Sequence, residues 1–279
     1  MYEKIVVPLD GSELAKSALP YAEELAAGMG SDIILFSVLD SEEADARQKH
    51  QDYIERVTGA IEKRAARRAG DSGDKQIKVG TASRSGDAAE GIVSYANRGS
   101  GSKMVVMATH GRSGISRWAL GSVADKVVRT SIRQPLLLIR ANETSPPANG
   151  RGILHKALIP LDGSVASETV LPYISGLVAK FKMEITLLQV VSPDEPDDLD
   201  AGDYLANTCR LLREDGITAE HVIKEGSAAD EIIKLADELS VNMVAMSTHG
   251  RSGISRWMLG SVAQKVLLGG NKPLLLLRG

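Results

Sequence analysis

Short apolar runs alternate along this chain with longer segments in which apolar residues return at helical spacing. Lys4–Leu9 (KIVVPL) is β-branched and runs into Asp10-Gly11, which predicts a strand closed by a turn. Leu14–Ala27 is rich in Ala and Leu and is followed by Gly28 and Gly30, which predicts a helix with a glycine stop. Asp32–Leu39 (DIILFSVL) is apolar at nearly every position, the pattern of a strand covered on both faces. The charged stretch Glu42–Arg68 reads as a helix stopped by Gly70, and Gln76–Val79 as a short strand. Asp87–Asn97 reads as a helix, Met104–Ala108 as a strand, Arg117–Arg129 as a helix and Leu136–Arg140 as the last strand. Strands alternating with helices through short connections predict an α/β, doubly wound fold, a parallel sheet with helices on both faces.

The same order then returns, with a shorter second helix around Leu199–Asp215. IVVPLDGSELAKSALPY at Ile5–Tyr21 reappears as ALIPLDGSVASETVLPY at Ala157–Tyr173. THGRSGISRWALGSVADKV at Thr109–Val127 reappears as THGRSGISRWMLGSVAQKV at Thr248–Val266, altered at Ala119/Met258 and Asp125/Gln264. The halves close on PLLLIR (Pro135–Arg140) and PLLLLR (Pro273–Arg278). Between them lies a segment of Pro, Gly, Asn and Ser, the composition of a linker. The predicted organisation is a first domain at 1–141, a linker at 142–152 and a second domain at 153–279.

Charge changes this picture little. Lys+Arg is 33 and Asp+Glu is 36, a net of −3, which argues against a broad electrostatic nucleic-acid binder. No apolar run reaches the roughly 20 residues of a membrane helix. The start carries no basic region followed by a long apolar core, so a cytoplasmic protein without membrane association is expected. Cys209 is the one cysteine, which excludes an intrachain disulfide and a multi-cysteine metal site. It reads as a packed thiol, with a nucleophile as the alternative.

In an open parallel sheet, ligands sit outside the carboxyl ends of the strands where the strand order reverses. That rule selects Pro8-Leu9-Asp10 after the first strand and Ala108 through Gly114 after the fourth. A core asks only for apolar residues of the right size, so repetition of the loop THGRSG points to a ligand. Gly121-Ser122, at or near a helix start, adds free N–H groups, a partial positive charge and a hydroxyl, the features of a phosphate cradle. Gly111 is its second contact point, and Gly250 with Gly260-Ser261 is the second copy. On this reading a side chain at Gly121 or Gly260 would occupy phosphate space. The alternative is that these glycines serve turns and packing and that Ser122 caps a helix.

The strand order of these motifs, with PLDGS, THGRSG…LGSVA and the closing PLLLIR, resembles the universal stress protein family in its tandem form, over nearly the whole chain. The family's nucleotide-binding members carry Gly, two residues, Gly, nine residues, then Gly and Ser or Thr. Gly111, Arg112–Leu120 and Gly121-Ser122 fit its second part, as do Gly250, Arg251–Leu259 and Gly260-Ser261; Ala108 and Ser247 hold the place of the first glycine. The resemblance implies two five-stranded sheets of order 3-2-1-4-5, packed as a pseudo-dimer through their last strands. It implies a stress-response regulator that binds ATP, ADP or AMP, with or without Mg²⁺, and signals to a protein partner, alone or as a homodimer. Asp10 and Asp162 would sit by the adenosine, next to Pro8, Leu9, Pro160 and Leu161. Val38 and Val190 would meet the adenine edge through their backbone, and Met107 and Met246 would line the pocket. Gly111, Gly121, Ser122 and Val123, with Gly250, Gly260, Ser261 and Val262, would hold ribose and phosphates. Arg112 and Arg251 read equally as phosphate charges and as solvated loop arginines. Alternation places Ala108 and Ser247 on the strand face opposite Met107 and Met246, with their backbone bordering the site.

Other chemistries leave fewer traces. Asp10 with His110, and Asp162 with His249, could form acid–base pairs of a hydrolase, or the histidines could order their loops. A nucleophile elbow, a Walker loop and a dinucleotide fingerprint are absent from the sequence. No acidic residue lies in Thr109–Leu120 to position a metal or a water, so ATP hydrolysis is expected to be slow or absent. A regulatory protein that works without nucleotide is the remaining alternative. The acidic run Asp194–Asp203 lacks EF-hand spacing and reads as a solvated helix start.

Overall fold

Lys4–Pro8 forms strand β1, with Ile5, Val6 and Val7 completely buried. The structure is a computed structural model that describes residues 2–39, 44–72, 77–99, 101–110, 120–130, 133–140, 152–192, 201–250 and 259–278, without the side chains of 69–72. A single 3₁₀ turn, Ala15–Ala18, leads into helix α1, Leu19–Met29. The sequence predicts one continuous helix from Leu14. Pro20 explains the break, because a proline is tolerated in a first turn but removes a hydrogen bond and clashes deeper in a helix. Gly30 ends α1 in the left-handed conformation (φ 67°), its N–H bonded to Ala26 O.

Strand β2 spans Asp32–Leu39, helix α2 Ala44–Ser72, strand β3 Val79–Ser85 and helix α3 Ala88–Asn97. Strand β4 spans Lys103–Ala108, helix α4 Ser122–Arg129 and strand β5 Leu136–Ile139. The sheet runs β3-β2-β1-β4-β5, and every neighbouring pair is parallel. Three boundaries differ from the sequence pattern. Helix α2 passes through Gly70, since an interior glycine costs only about 1 kcal/mol relative to Ala. Strand β3 begins where Gln76–Val79 was predicted to end. It is an edge strand with mostly exposed side chains, placed by its pairing from Ile33–Val79 to Leu39–Ser85 rather than by an apolar signal. Helix α4 begins at Ser122, because Gly121 is extended and its N–H is bonded to Thr109 O at 2.9 Å, and the predicted start at Arg117 lies outside the described residues.

The second unit repeats this plan with strand β6 (Lys156–Pro160), helices α5 (Val165–Glu168) and α6 (Val170–Phe181) and strand β7 (Glu184–Val191). Helix α7 (Ala201–Glu214), strand β8 (Ala219–Glu225) and helix α8 (Ala228–Glu238) follow, then strand β9 (Met243–Ser247), helix α9 (Ser261–Gly269) and strand β10 (Leu274–Leu277). Its strands are ordered β8-β7-β6-β9-β10, again parallel at every pair. The two compact units are Met1–Pro146 and Pro147–Gly279. Of the acidic run, residues 194–200 lie outside the described residues, and Asp203 stands in the first turn of α7. Cys209 is fully buried in α7, and burial pushes its thiol pKa up, which suits a packed thiol and not a nucleophile. Among the described residues no helix is long and apolar enough to cross a membrane.

Candidate functional site

In the first unit β1 has β2 on one side and β4 on the other, and the chain reverses its order of filling the sheet between β1 and β4. At that point the carboxyl ends of the strands open a cavity of about 270 Å³. Pro8, Leu9 and Asp10 close one side of it, and Phe36 and Val38 come from β2. Met107, Ala108, Thr109 and His110 come from the end of β4, and Gly121, Ser122, Val123 and Ala124 from the start of α4. Ala15, Ala88 and Ile92 complete the wall. The second unit holds a cavity of about 400 Å³ in the same place, between Pro160, Leu161 and Asp162, Leu188 and Val190, Met246 through Gly250, and Gly260 through Ala263. Ser167, Ser192, Gly226, Ala228 and Ile232 complete it. The sequence-selected residues thus come together in each half, save Gly111, Arg112 and Arg251, which lie outside the described residues.

The aspartates are held by their own turns. Ser12 donates from its backbone N–H (3.0 Å) and its hydroxyl (2.6 Å) to Asp10 Oδ1, and Ser12 Oγ accepts the Ala15 N–H at 3.1 Å. Ser164 does the same for Asp162 at 3.0 and 2.6 Å, and its Oγ accepts the Ser167 N–H at 3.1 Å. A carboxylate oxygen bonded twice within its own turn is a fixed acceptor rather than a mobile base. The histidines are ordered in the same local way. Thr109 Oγ1 lies 3.0 Å from His110 Nδ1, and Thr248 Oγ1 lies 2.9 Å from His249 Nδ1. Each ring is thereby oriented at the cavity edge.

The glycines before α4 and α9 line the cavities and also meet the chain's own backbone. A Cβ on Gly121 would stand 2.9 Å from Thr109 O, and one on Gly260 would stand 2.9 Å from Thr248 O. The conformation itself is extended and open to any residue (φ −60° and −58°). The missing side chain therefore makes room for the chain's own loop backbone, which in turn sets the helix N-terminus at the cavity. Gly250 makes room as well: a Cβ there would collide with Asp162 Oδ2.

Behind each aspartate stands a tyrosine that sequence reasoning missed. Tyr53 on α2 and Tyr204 on α7 both follow an aspartate, in Asp52-Tyr53 and Asp203-Tyr204, and this repeated pair was the available signal. Burial, then the negative charges of Asp10 and Glu13, push the Tyr53 phenol up to about 12. Its oxygen is buried without a hydrogen-bond partner among the described residues. Lys16 Nζ lies 5.3 Å from the ring centroid. Burial first, then a hydrogen bond to Glu168 and the charges of Glu168 and Asp162, raise the Tyr204 phenol. Tyr204 donates to Glu168 Oε1 at 2.9 Å. The wall residues Ala88 and Ala228 were also missed; each is the first residue of a helix that follows a repeated Gly-X-Ala-Ala signal. Among the described residues no group of three or more His, Cys, Asp or Glu is placed to hold a metal ion.

Comparison with known proteins places the chain among relatives of the same plan. The model of the Universal stress protein family matches residues 1–140 and again 154–278. Universal stress protein MJ0531 of Methanocaldococcus jannaschii is 28% identical over 145 residues, covering 47% of this chain and 85% of that protein. A universal stress protein structure from Archaeoglobus fulgidus superposes with a TM-score of 0.77 at 19% identity, covering 100% of this chain and 99% of that one. A structure of a putative universal stress protein from Pseudomonas aeruginosa superposes with a TM-score of 0.70 at 16% identity, covering 99% and 93%.

Proposed function

The chain belongs to the universal stress protein family, in both of its halves, and from that premise we propose that each half binds an adenine nucleotide, ATP or its products ADP and AMP. The observation that carries this reading is the convergence, twice, of the same three features on one cavity. Apolar walls (Val38 and Met107; Val190 and Met246) suit a base. A carboxylate fixed by its own turn (Asp10; Asp162) suits ribose hydroxyls, which donate to it. The start of a helix (Ser122 of α4; Ser261 of α9) offers free N–H groups and a partial positive charge to phosphates. At about 270 and 400 Å³ the cavities stand at the small end of ligand sites, sized for a nucleoside whose phosphates extend over the helix start.

The protein acts on this reading as a cytoplasmic binder in a stress response whose occupancy is read by a regulatory partner. ATP turnover is slow or absent. Asp10 Oδ1 and Asp162 Oδ1 are each engaged by a serine of their own turn, Ser12 and Ser164, which favours a positioning role for these carboxylates over the hydrolase. Mg²⁺ enters, if ATP brings it, with the phosphates. Acid extraction of the purified protein, followed by chromatography of the extract, tests the proposal. Up to two adenine nucleotides per chain are expected. Nucleotide-free protein that also shows no saturable binding of ATP, ADP or AMP overturns it in favour of a regulator that works without nucleotide.

A further inference from the structure

We propose that the outer edge of β8 pairs with the β8 edge of a second copy of this chain, antiparallel about a two-fold axis at Val222, so that the second unit extends its sheet into a dimer. The inference stands apart from the nucleotide reading. β8 (Ala219–Glu225, AEHVIKE) is the end strand of its unit, paired on one side with β7. The ladder to β7 fixes which backbone groups are open. Ile185 N–H donates to Thr218 O and Gly226 N–H donates to Val191 O, so the even-numbered residues of β8 turn their N–H and C=O toward β7. The backbone groups of His221, Ile223 and Glu225 therefore turn outward, as do those of Ala219, whose O accepts Arg213 Nε–H at 2.8 Å. An open row of this kind is a template for another strand.

The side chains select the occupant. Ile223 is 41% exposed and lies on the α7 face, where its Cδ1 would stand 3.7 Å from a Cβ on Gly202. Lys224 lies on the α8 face, its Nζ 4.0 Å from Glu238 Oε2. Alternation puts Glu220 and Val222 on that face too. Glu220 is exposed and makes no hydrogen bond or ion pair among the described residues. An antiparallel copy centred on Val222 sets Glu220 opposite Lys224 in both directions, in the closely spaced pairing where side chains meet best. His221 stands opposite Ile223, both with outward backbone, so each such pair exchanges both N–H···O bonds. Moving the centre to His221 or Ile223 keeps the hydrogen bonds and breaks both charge pairs.

The matching edge of the first unit does not suit itself. β3 has Gly80 in the place of Glu220, Ser83 in that of Ile223 and Arg84 in that of Lys224. A copy of β3 would set Arg84 opposite Gly80, with a serine where β8 presents its isoleucine. Of these two edge strands β8 alone carries a self-complementary pattern, and self-complementarity about a two-fold axis specifies a second copy rather than an unrelated strand.

Sedimentation equilibrium of the whole chain over a range of concentrations tests the inference. The unaltered protein is expected to form a reversible dimer that dissociates on dilution, as small interfaces do. Glu220→Lys and Lys224→Glu each set like charges opposite one another in both symmetry-related pairs, and each should weaken the dimer about tenfold or more. Glu220→Lys combined with Lys224→Glu exchanges the charges and should restore the dimer, a rescue that misfolding cannot mimic. Val222→Cys should crosslink to its own copy under a mild thiol oxidant, because the axis sets that pair at the close spacing, and Ala82→Cys in β3 should not. A monomer at every concentration overturns the inference and leaves the edge to an extended segment of another protein. A dimer that ignores the single charge reversals overturns it as well, because its contact then lies elsewhere.

Discussion

Thr109–Val127 and Thr248–Val266 are nearly letter-for-letter copies, yet the cavities they border differ in size and polarity. The difference comes from walls built elsewhere in the chain. In the first half Phe36 stacks on Tyr95 of α3 with centroids 4.7 Å apart and 28° between planes. Gly91 makes this possible, because a Cβ there would stand 2.9 Å from Val38 Cγ2 and 3.7 Å from the Phe36 ring. The second half has Leu188, Glu231 and Leu235 at the corresponding places, and no such stack. On the proposed reading, the duplicated loop gives both sites the same kind of ligand, and the differing wall residues set how tightly and with what fit each copy holds it.

The largest effect is expected where the two halves are most alike. Gly121→Val and Gly260→Val should each cost about 1–3 kcal/mol, as overpacking does, because the new Cβ meets a backbone carbonyl 2.9 Å away. Each should also shift the helix start and abolish ligand binding in its own half. Urea unfolding checks this. A Gly121→Val protein as stable as the parent would show that the loop yields freely, and the shared geometry would lose its explanation.

Phe36→Leu converts the first wall toward the second. It should destabilise the protein by about 1–2 kcal/mol, well under the ~3–5 kcal/mol of truncation to Ala, since Leu refills part of the space. It should enlarge the first cavity and bring the two sites' affinities for AMP closer together. Unchanged affinity at both sites, with the stability loss present, would mean that Phe36 shapes the core and not the site.

The smallest effect separates the two tyrosines. Tyr204→Phe removes a hydrogen bond to Glu168 and should cost about 0.5–1.5 kcal/mol. Tyr53→Phe deletes a buried oxygen without a hydrogen-bond partner and should be neutral or stabilising. The sign of the pH dependence follows from the raised phenols. Below pH 10 both states keep the Tyr53 proton. Between the ordinary phenol value of 10.0 and about 12 the unfolded chain loses it while the folded chain retains it, so stability falls as pH rises through that window. Unfolding curves from pH 9 to 12 should show a shallower fall for Tyr53→Phe. An equal fall in both proteins would contradict the burial of this phenol.

Much of the candidate site was legible because its parts lie next to turn signals. Asp10 and Asp162 stand one residue before a glycine, and Ser122 and Ser261 one residue after one, and such positions declare themselves locally. Tyr53 and Phe36 did not. Each sits inside a regular element, where a tyrosine on a helix or an apolar residue on a strand is what packing alone would select. Their relation to the cavity depends on which face of the element meets it. The glycines were legible as important but not as to why: the atom that excludes a side chain at position 121 belongs to Thr109, twelve residues earlier.

The amino-acid order by itself determined the kinds of element, their sequence and the duplication, because period, glycine and proline act over a few residues. It therefore also determined which loops lie at the strand ends. Only the tertiary structure decided where β3 begins, where α4 begins and which side chains finish each cavity. An edge strand such as β3 is defined by backbone pairing with a neighbour rather than by its own apolar pattern. A helix start such as Ser122 is defined by the Gly121–Thr109 bond across a loop. Contacts of that kind join residues far apart in the chain, and nothing in the local spacing of apolar and polar residues records them.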